Sequence, residues 1–207
     1  MMRFPQSPAV TLALFAAVSA ALVTAVYLLT RAPIQAAEAR WFQQRLSAVL
    51  QPATGLEPVD YEDIVQLPDR QRCPQCWQNS ELIDPAHAIH LNSQSAGAPV
   101  FAIPTFSSRG YNGRIDVITG VAIVREQQSP AIVAVQVSRH RETPGIGDRI
   151  EADKSAWLEN FRGKATVNDI DALSGATISA SAVEDAVEKA LRFARQNRDQ
   201  LMSHTGS

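Results

Sequence analysis

A long uncharged apolar run near the start of the chain restricts the fold more than any other feature of the sequence. Residues 9–30 contain no charged side chain and are rich in Ala, Val and Leu. A run of about 22 residues, folded as a helix, spans the roughly 30 Å hydrocarbon core of a bilayer. Tyr27 and Arg31 lie where interfacial anchors are expected. We therefore predict a transmembrane helix over residues 9–30, preceded by a short N-terminus over residues 1–8.

A cleaved signal peptide is the alternative interpretation of this run. Ala37-Glu38-Ala39 has the small-x-small pattern of a cleavage site. The apolar run is longer than the roughly 7–15 residues of a typical signal-peptide core, which favours an uncleaved anchor. Both interpretations export the rest of the chain.

Composition limits what the remaining residues can form. The chain has 207 residues, a net charge of −2 and no block of like charges, so nothing indicates a nucleic-acid partner. An apolar content of 45% is enough for a packed core. We expect one ordinary domain after the anchor, and the strands and helices predicted below give the chain the class α+β with a single transmembrane helix.

Residues 31–98 are predicted to contain a stalk helix and the N-terminal part of the exported domain. The only two cysteines, Cys73 and Cys76, lie here, and in an oxidising compartment this spacing most simply indicates a local disulfide. His87 and His90 follow, so a Cys2His2 metal site is an alternative, although both gaps are short for one. Free thiols are the third alternative.

Residues 99–198 are predicted to form the core of the domain, and residues 199–207 a frayed tail. Period-2 alternation of Val and Ile predicts an antiparallel meander with helices on one face. The Asn-Gly pair at Gly113 indicates a tight turn between two of its strands. The predicted strands cover residues 100–106, 115–124 and 132–140, and a further helix is predicted over residues 150–161.

A small polar stretch, residues 171–179, precedes the last predicted helix. Ser181 with Glu184 three residues later indicates a capping box, so Thr177 is expected in the turn that leads into that helix. Free N–H groups and the positive end of the helix dipole stabilise a phosphate at such a place. Gly175 and Ala176 let a bulky ligand approach the backbone. An ordinary capped turn is the alternative interpretation.

The residues of this stretch resemble a known modification motif. Asp171-x-x-Ser174-Gly175-Ala176-Thr177 is similar to the flavinylation motif Asp-x-x-(Ser/Thr)-Gly-Ala-(Ser/Thr). The chain as a whole resembles the G subunit of the Rnf electron transport complex, to which the C subunit of the sodium-translocating NADH:quinone reductase is related. The other stretches that carry this resemblance are Gly110-Tyr111-x-Gly113, His140-x-Glu142-Thr143-Pro144-Gly145-x-Gly147, Trp157 and Phe161.

The resemblance implies an FMN-binding domain with FMN joined to Thr177 by a phosphoester bond. It places Asp171 where it positions the turn or the flavinyl donor, and Glu142 and Thr143 at the edge of the flavin ring. His140 is either a flavin neighbour or a solvent-facing strand end. Trp157 is expected in the core, and stacking on the flavin is the alternative. The implied cofactor-binding residues are Thr177, Asp171, Ser174, Gly175, Ala176, Glu142, Thr143 and Gly145, with no metal ligand and no catalytic residue.

The resemblance further implies an electron-transfer protein within an ion-translocating ferredoxin:NAD oxidoreductase. Its soluble domain would face the periplasm from the bacterial inner membrane, with the N-terminus over residues 1–8 in the cytoplasm. Its partners would be the other subunits, and an FAD-dependent flavin transferase would attach the FMN. No Gly-x-Gly-x-x-Gly and no phosphate-binding loop is present, so we do not expect the chain to oxidise NADH alone. The alternatives are an exported, membrane-tethered binding or assembly module and a flavin domain that serves another respiratory chain.

Overall fold

The computed structural model describes residues 8–50, 64–66, 88–92, 98–123 and 129–203. The chain divides into two compact units, residues 1–43 and residues 44–207. Helix α1 (Pro8–Leu50) begins in the first unit and ends in the second. Cys73, Cys76 and His87 lie outside the described residues, so the predicted disulfide and the alternative metal site stay predictions.

The first unit is the apolar part of α1. Among the described residues, only the segment Pro8–Ala37, 30 residues long, is apolar enough over sufficient length to cross a membrane. Its side chains are exposed in the chain by itself, as expected for a surface that faces lipid. The predicted span over residues 9–30 falls inside this segment, and the helix continues without interruption into the predicted stalk.

The second unit is built on a five-stranded antiparallel sheet with the strand order β1-β2-β3-β4-β5. The predicted meander is confirmed for its three long strands, and the two short strands β1 and β2 were not predicted. Gly110 pairs with Gly113 across the turn, and Gly113 has a φ of +101°, which explains the glycine at that position. The strands are β1 (Ile64–Gln66), β2 (Ala88–Asn92), β3 (Val100–Gly110), β4 (Gly113–Ala122) and β5 (Ala131–Arg139).

Helix α2 (Thr177–Gln196) covers one face of the sheet and packs mainly on β3 and β4. Its inward face is rich in alanine, which lets the helix approach the strands closely, and Thr105 donates a hydrogen bond of 2.8 Å to the carbonyl oxygen of Ala186. On the other face, a side chain at Gly120 would meet Val49 of α1 at 2.7 Å. Glycine at position 120 therefore makes room for the end of α1.

Two predictions for the connections and the chain end were wrong. Residues 150–161 form no continuous helix; instead two short 3-10 helices, Gly147–Ile150 and Trp157–Phe161, flank a set of turns. The apolar residues of both 3-10 helices are buried. Their spacing in the sequence therefore came from burial in the core and did not indicate an α-helix. Residues 199–203 are not frayed, because they belong to helix α3 (Arg198–Ser203), whose Leu201 is fully buried.

Candidate functional site

Helix α2 begins earlier than the capping box predicted. Its N-cap is Ala176, with φ −135° and ψ 33° and no side-chain cap, and the N–H of Ala180 closes the first turn on the carbonyl of Ala176 at 2.9 Å. Ser181 lies inside the helix. Thr177 is therefore the first helical residue and does not belong to the preceding turn, which corrects the prediction.

The turn before α2 holds Thr177 at the surface. Leu173 and Ala176 are buried, and the N–H of Ala176 bonds the carbonyl of Leu173 at 3.0 Å. Gly175 has a φ of +82°, which residues with a side chain rarely adopt. Because Thr177 is exposed next to the uncapped first N–H groups of a long helix, its hydroxyl lies where a phosphate is stabilised.

The second predicted loop runs from Glu142 into the first 3-10 helix. The carbonyl oxygen of Thr143 accepts hydrogen bonds from the N–H groups of Ile146, Gly147 and Asp148, at 3.2, 3.0 and 3.4 Å. Gly145 has a φ of +79° and is exposed, with no atom within 4 Å of a hypothetical side chain. The loop is thus a tight turn whose tip is open to a ligand.

The structure brings the two loops together through two contacts. Arg149 donates a hydrogen bond of 2.7 Å to the carbonyl oxygen of Ser174. Its guanidinium also lies 3.5 Å from where a side chain of Gly175 would begin, so a cation stands beside the exposed turn. In the second contact the Ser179 hydroxyl donates to Oε2 of Glu142 at 2.6 Å.

Glu142 is a buried carboxylate that joins three segments. Its Oε1 accepts the N–H of Asn112 at 2.9 Å and its Oε2 accepts the hydroxyl of Ser179. Both oxygens are therefore bonded to donors of the protein, which satisfies a group that is costly to bury alone. The predicted position of Glu142 at the edge of the flavin ring stays a prediction. Thr143 is exposed and its hydroxyl accepts from the Asn112 side chain at 3.2 Å.

His140 is not a solvent-facing strand end. Its Nδ1 accepts the N–H of Glu142 at 3.1 Å, so in the neutral ring the proton resides on Nε2, which lies 2.9 Å from Oε1 of Glu151. Arg45, near the end of α1, lies 3.6 Å from the other oxygen of Glu151. A chain of polar contacts thus connects the end of α1 with Glu142.

Trp157 supports the backbone at Asp171. Its ring is buried and meets Phe161 edge to face, with the ring centroids 5.1 Å apart, so the prediction of a core residue is confirmed. Its Nε1 donates to the carbonyl of Asp171 at 2.7 Å, whereas the Asp171 carboxylate is exposed. Asp171 is therefore held by its backbone and presents its side chain to solvent at the start of the motif.

Three residues of this region were not among the predicted site residues: Asn112, Arg149 and Ser179. The sequence indicated Asn112 only as a turn residue. A basic residue two positions after a Pro-Gly-x-Gly turn carries no local signal for its partner, because the partner lies 25 positions away. Among the described residues, no group of three or more His, Cys, Asp or Glu side chains is placed to hold a metal ion.

Comparison with known proteins agrees with this geometry. The family model for an FMN-binding domain matches residues 110–192, which include both loops, and the model for the RnfG N-terminal region matches residues 1–49. The G subunit of the ion-translocating oxidoreductase complex of Vibrio cholerae serotype O1 (strain M66-2) is 34% identical over 92% of this chain and 90% of that protein. The chain belongs to the RnfG family.

Two further members of the family are similar over nearly their whole length. The corresponding G subunit of Aliivibrio fischeri (strain ATCC 700601 / ES114) is 30% identical over 98% of this chain and 96% of that protein. The G subunit of Vibrio vulnificus (strain YJ016) is 30% identical over 93% of this chain and 90% of that protein. The resemblance stated from the sequence is confirmed, as are the α+β class and FMN as the cofactor of the domain. The matches support an electron-transfer role for the flavin within an oxidoreductase complex.

Proposed function

We propose that this chain is a membrane-anchored electron-transfer subunit that carries FMN covalently on Thr177. The observation that supports this most is the exposed Thr177 hydroxyl at the uncapped start of α2, within the FMN-binding domain. When bound, FMN accepts and donates electrons singly or in pairs, which suits a relay between partners. The relatives are named as subunits of an ion-translocating oxidoreductase complex, and we infer the same assembly, of the Rnf type, for this chain.

The residues around Thr177 fit a phosphodiester. Gly175 and Ala176 carry almost no side chain, the first turn of α2 offers N–H groups, and Arg149 provides a positive charge beside the turn. FAD is the donor in our proposal. The Thr177 oxygen forms a bond to the FMN phosphorus, the pyrophosphate bond of FAD breaks, AMP leaves, and the hydroxyl proton is released. A flavin transferase would catalyse this step, with Asp171 and Ser174 presented at the surface.

Variants of the hydroxyl residue test the attachment directly. The full chain is co-expressed with its flavin transferase, purified and denatured, and its flavin fluorescence in the gel and its intact mass are measured. We expect the wild-type mass to exceed that of the bare chain by one FMN less one water. Thr177→Ala should lose both the added mass and the fluorescence. Ser181→Ala removes an exposed hydroxyl of α2 outside the motif and is the matched control. Fluorescence that persists in Thr177→Ala would refute the attachment site.

The orientation is a separate part of the proposal. We infer a single-pass anchor in the bacterial inner membrane, with the domain on the periplasmic side. A C-terminal alkaline phosphatase fusion should be active and the matching green fluorescent protein fusion dark when both are exported by the normal secretion route. Retention of the full chain in membranes after carbonate washing, with residues 1–39 present in the intact mass, would separate an anchor from a cleaved signal peptide. The opposite fusion result would overturn the orientation alone.

A further inference from the structure

His140, Glu151 and Arg45 form a chain of polar side chains that the proposed attachment of FMN does not use. Their side chains are 14%, 21% and 21% exposed, so each is largely removed from water. Nε2 of His140 lies 2.9 Å from Oε1 of Glu151, and the Arg45 guanidinium lies 3.6 Å from Oε2. Taking such groups out of water costs free energy, and well-packed apolar residues of similar volume are often no less stable. Stability alone is therefore a weak reason for the arrangement.

At one end of the chain of contacts, His140 holds the loop that begins at Glu142. Its Nδ1 accepts the N–H of Glu142 at 3.1 Å, so both ring nitrogens have partners and the orientation of the ring is fixed. The Glu142 side chain in turn accepts hydrogen bonds from Asn112 and Ser179. A shift of the His140 ring therefore acts on the Glu142 backbone, and through it on a carboxylate that joins three segments.

At the other end, Arg45 belongs to the part of α1 that lies in the second unit. Its guanidinium also donates a hydrogen bond of 3.2 Å to Oε1 of Gln136 on β5. Val49, one turn further along α1, is fully buried, and a side chain at Gly120 of β4 would meet it at 2.7 Å. The end of α1 is thus packed closely against the sheet, so a displacement of this end acts directly on the partners of Arg45.

We propose that His140 is a positioning residue that couples the loop over residues 142–148 to the end of α1. The coupling passes through Glu151 and Arg45. Each link is directional, because an N–H meets the imidazole, the imidazole meets a carboxylate, and the carboxylate meets a guanidinium. The inference rests on the proposed function. The loop carries predicted cofactor-binding residues, so the coupling makes the surroundings of the FMN depend on the position of the anchor helix.

A contact that only holds the domain together is the alternative, and it has different consequences. Its loss would lower the overall stability, so that hydrogen exchange would accelerate throughout the domain. Coupling instead changes one loop selectively, and the effects of two substitutions on the same chain of contacts are not additive. It also shifts the midpoint potential of the FMN, because a contact shifts this equilibrium only when it favours the oxidised and reduced forms unequally.

The test uses the full chain, solubilised in detergent and flavinylated by its transferase. Hydrogen exchange is followed by mass spectrometry on the peptide over residues 142–148. In this peptide the N–H groups of Ile146, Gly147 and Asp148 bond the Thr143 carbonyl and report directly on opening of the loop. The midpoint potential of the FMN is measured by spectroelectrochemical titration of the same samples.

Substitutions of Arg45 give the main result. Arg45→Met removes the guanidinium and keeps an apolar stem. We expect it to accelerate exchange of the loop peptide about threefold or more and to shift the midpoint potential. Arg45→Lys keeps the positive charge and should lie closer to the wild-type chain in both signals.

A double variant tests whether the effect passes through His140. Asparagine at position 140 keeps an acceptor for the N–H two positions later, but it is too short to reach Glu151. His140→Asn therefore cuts the link to α1 and leaves the hydrogen bond to the loop in place. Arg45→Met should add no further change to either signal in this background.

Controls separate the possible results. Arg139→Met removes the same charge from an exposed position of β5 beside His140 and should change neither signal. An unchanged exchange rate of the loop peptide or an unchanged potential in fully flavinylated Arg45→Met would overturn the inference. Equal acceleration in all peptides of the domain would also overturn it, and so would additive effects in the His140→Asn background. Absence of flavin from Thr177 in the wild-type chain would instead refute the proposed function, and the exchange measurement would still test the link from Arg45 to the loop.

Discussion

The guanidinium of Arg149 donates a hydrogen bond of 2.7 Å to the carbonyl oxygen of Ser174, and this contact joins two loops that lie 25 positions apart in the chain. The carbonyl belongs to the turn that precedes Thr177. Because the same guanidinium lies beside Gly175, Arg149 both fixes the turn and places a positive charge next to it. A cation at that position favours a negatively charged phosphodiester on the neighbouring hydroxyl.

We expect Arg149→Ala to slow flavin attachment several-fold without unfolding the domain. Arg149 is exposed, so the loss of its hydrogen bond should lower the free energy of unfolding by about 1 kcal/mol or less. The measurement is the fraction of chains with the added FMN mass after short co-expression with the transferase. Arg162→Ala, which removes an exposed arginine that follows the second 3-10 helix, is the control. Equal attachment rates in the two variants would show that the charge of Arg149 has no role.

The Ser179–Glu142 contact gives a stability prediction. Ser179→Ala leaves one oxygen of a buried carboxylate without its donor, so it should lower the free energy of unfolding by about 1–3 kcal/mol. Ser181→Ala, two positions later on the exposed side of α2, should change it by no more than about 0.5 kcal/mol. Urea unfolding of both variants checks this. A larger loss in Ser181→Ala would favour the capping box over the observed start of the helix.

The indole of Trp157 offers a test of how the Asp171 backbone is held. Trp157→Phe keeps an aromatic side chain in the core but removes the Nε1 donor to the Asp171 carbonyl, and should cost about 1 kcal/mol of unfolding free energy. Trp157→Ala should cost about 3–5 kcal/mol, because it also leaves a cavity against Phe161. Thermal and urea unfolding measure both. Equal losses in the two variants would mean that packing of the ring contributes nothing beyond the hydrogen bond.

Asp185 predicts part of the response to acid. Burial raises the pKa of the Asp185 carboxyl. Hydrogen bonds from Lys189 and Ser107 and the charges of Lys189 and Arg109 lower it by more than burial raises it, so the pKa lies below its ordinary value of 3.8. A folded-state pKa below the unfolded one contributes stability that is present above the unfolded value and is lost as pH falls through the folded one. As pH falls through the folded-state pKa of Asp185, the free energy of unfolding should therefore decrease more steeply in the wild-type chain than in Asp185→Asn.

The pKa of Glu184 is shifted in the opposite direction to that of Asp185, so Glu184 supplies the control for this experiment. Burial raises the pKa of Glu184 above its ordinary value of 4.5, so its contribution to stability is present at low pH and is lost as pH rises through the folded value. Urea unfolding between about pH 6 and about pH 3 should show a steeper acid loss in Glu184→Gln than in the wild-type chain. Parallel pH profiles for wild type and Asp185→Asn would contradict the assignment to Asp185.

Local features could be predicted from the sequence because they depend on neighbouring residues alone. The transmembrane run follows from its length and lack of charge, and the three long strands follow from their alternation of Val and Ile. The turns at Gly113 and Gly175 could be predicted because glycine adopts a positive φ more readily than other residues. The family resemblance rested on the same short motifs, so it too was accessible without a structure.

Contacts between distant segments were decided only by the tertiary structure. The sequence placed Glu142 and Thr177 in separate loops, and nothing local indicates that Glu142 bonds Asn112 and Ser179 or that Arg149 meets Ser174. The start of α2 was also misplaced, since a plausible cap at Ser181 competes with packing that favours an earlier start. Such contacts depend on strand register and on how α2 packs against the sheet, because these bring together residues that are far apart in the chain.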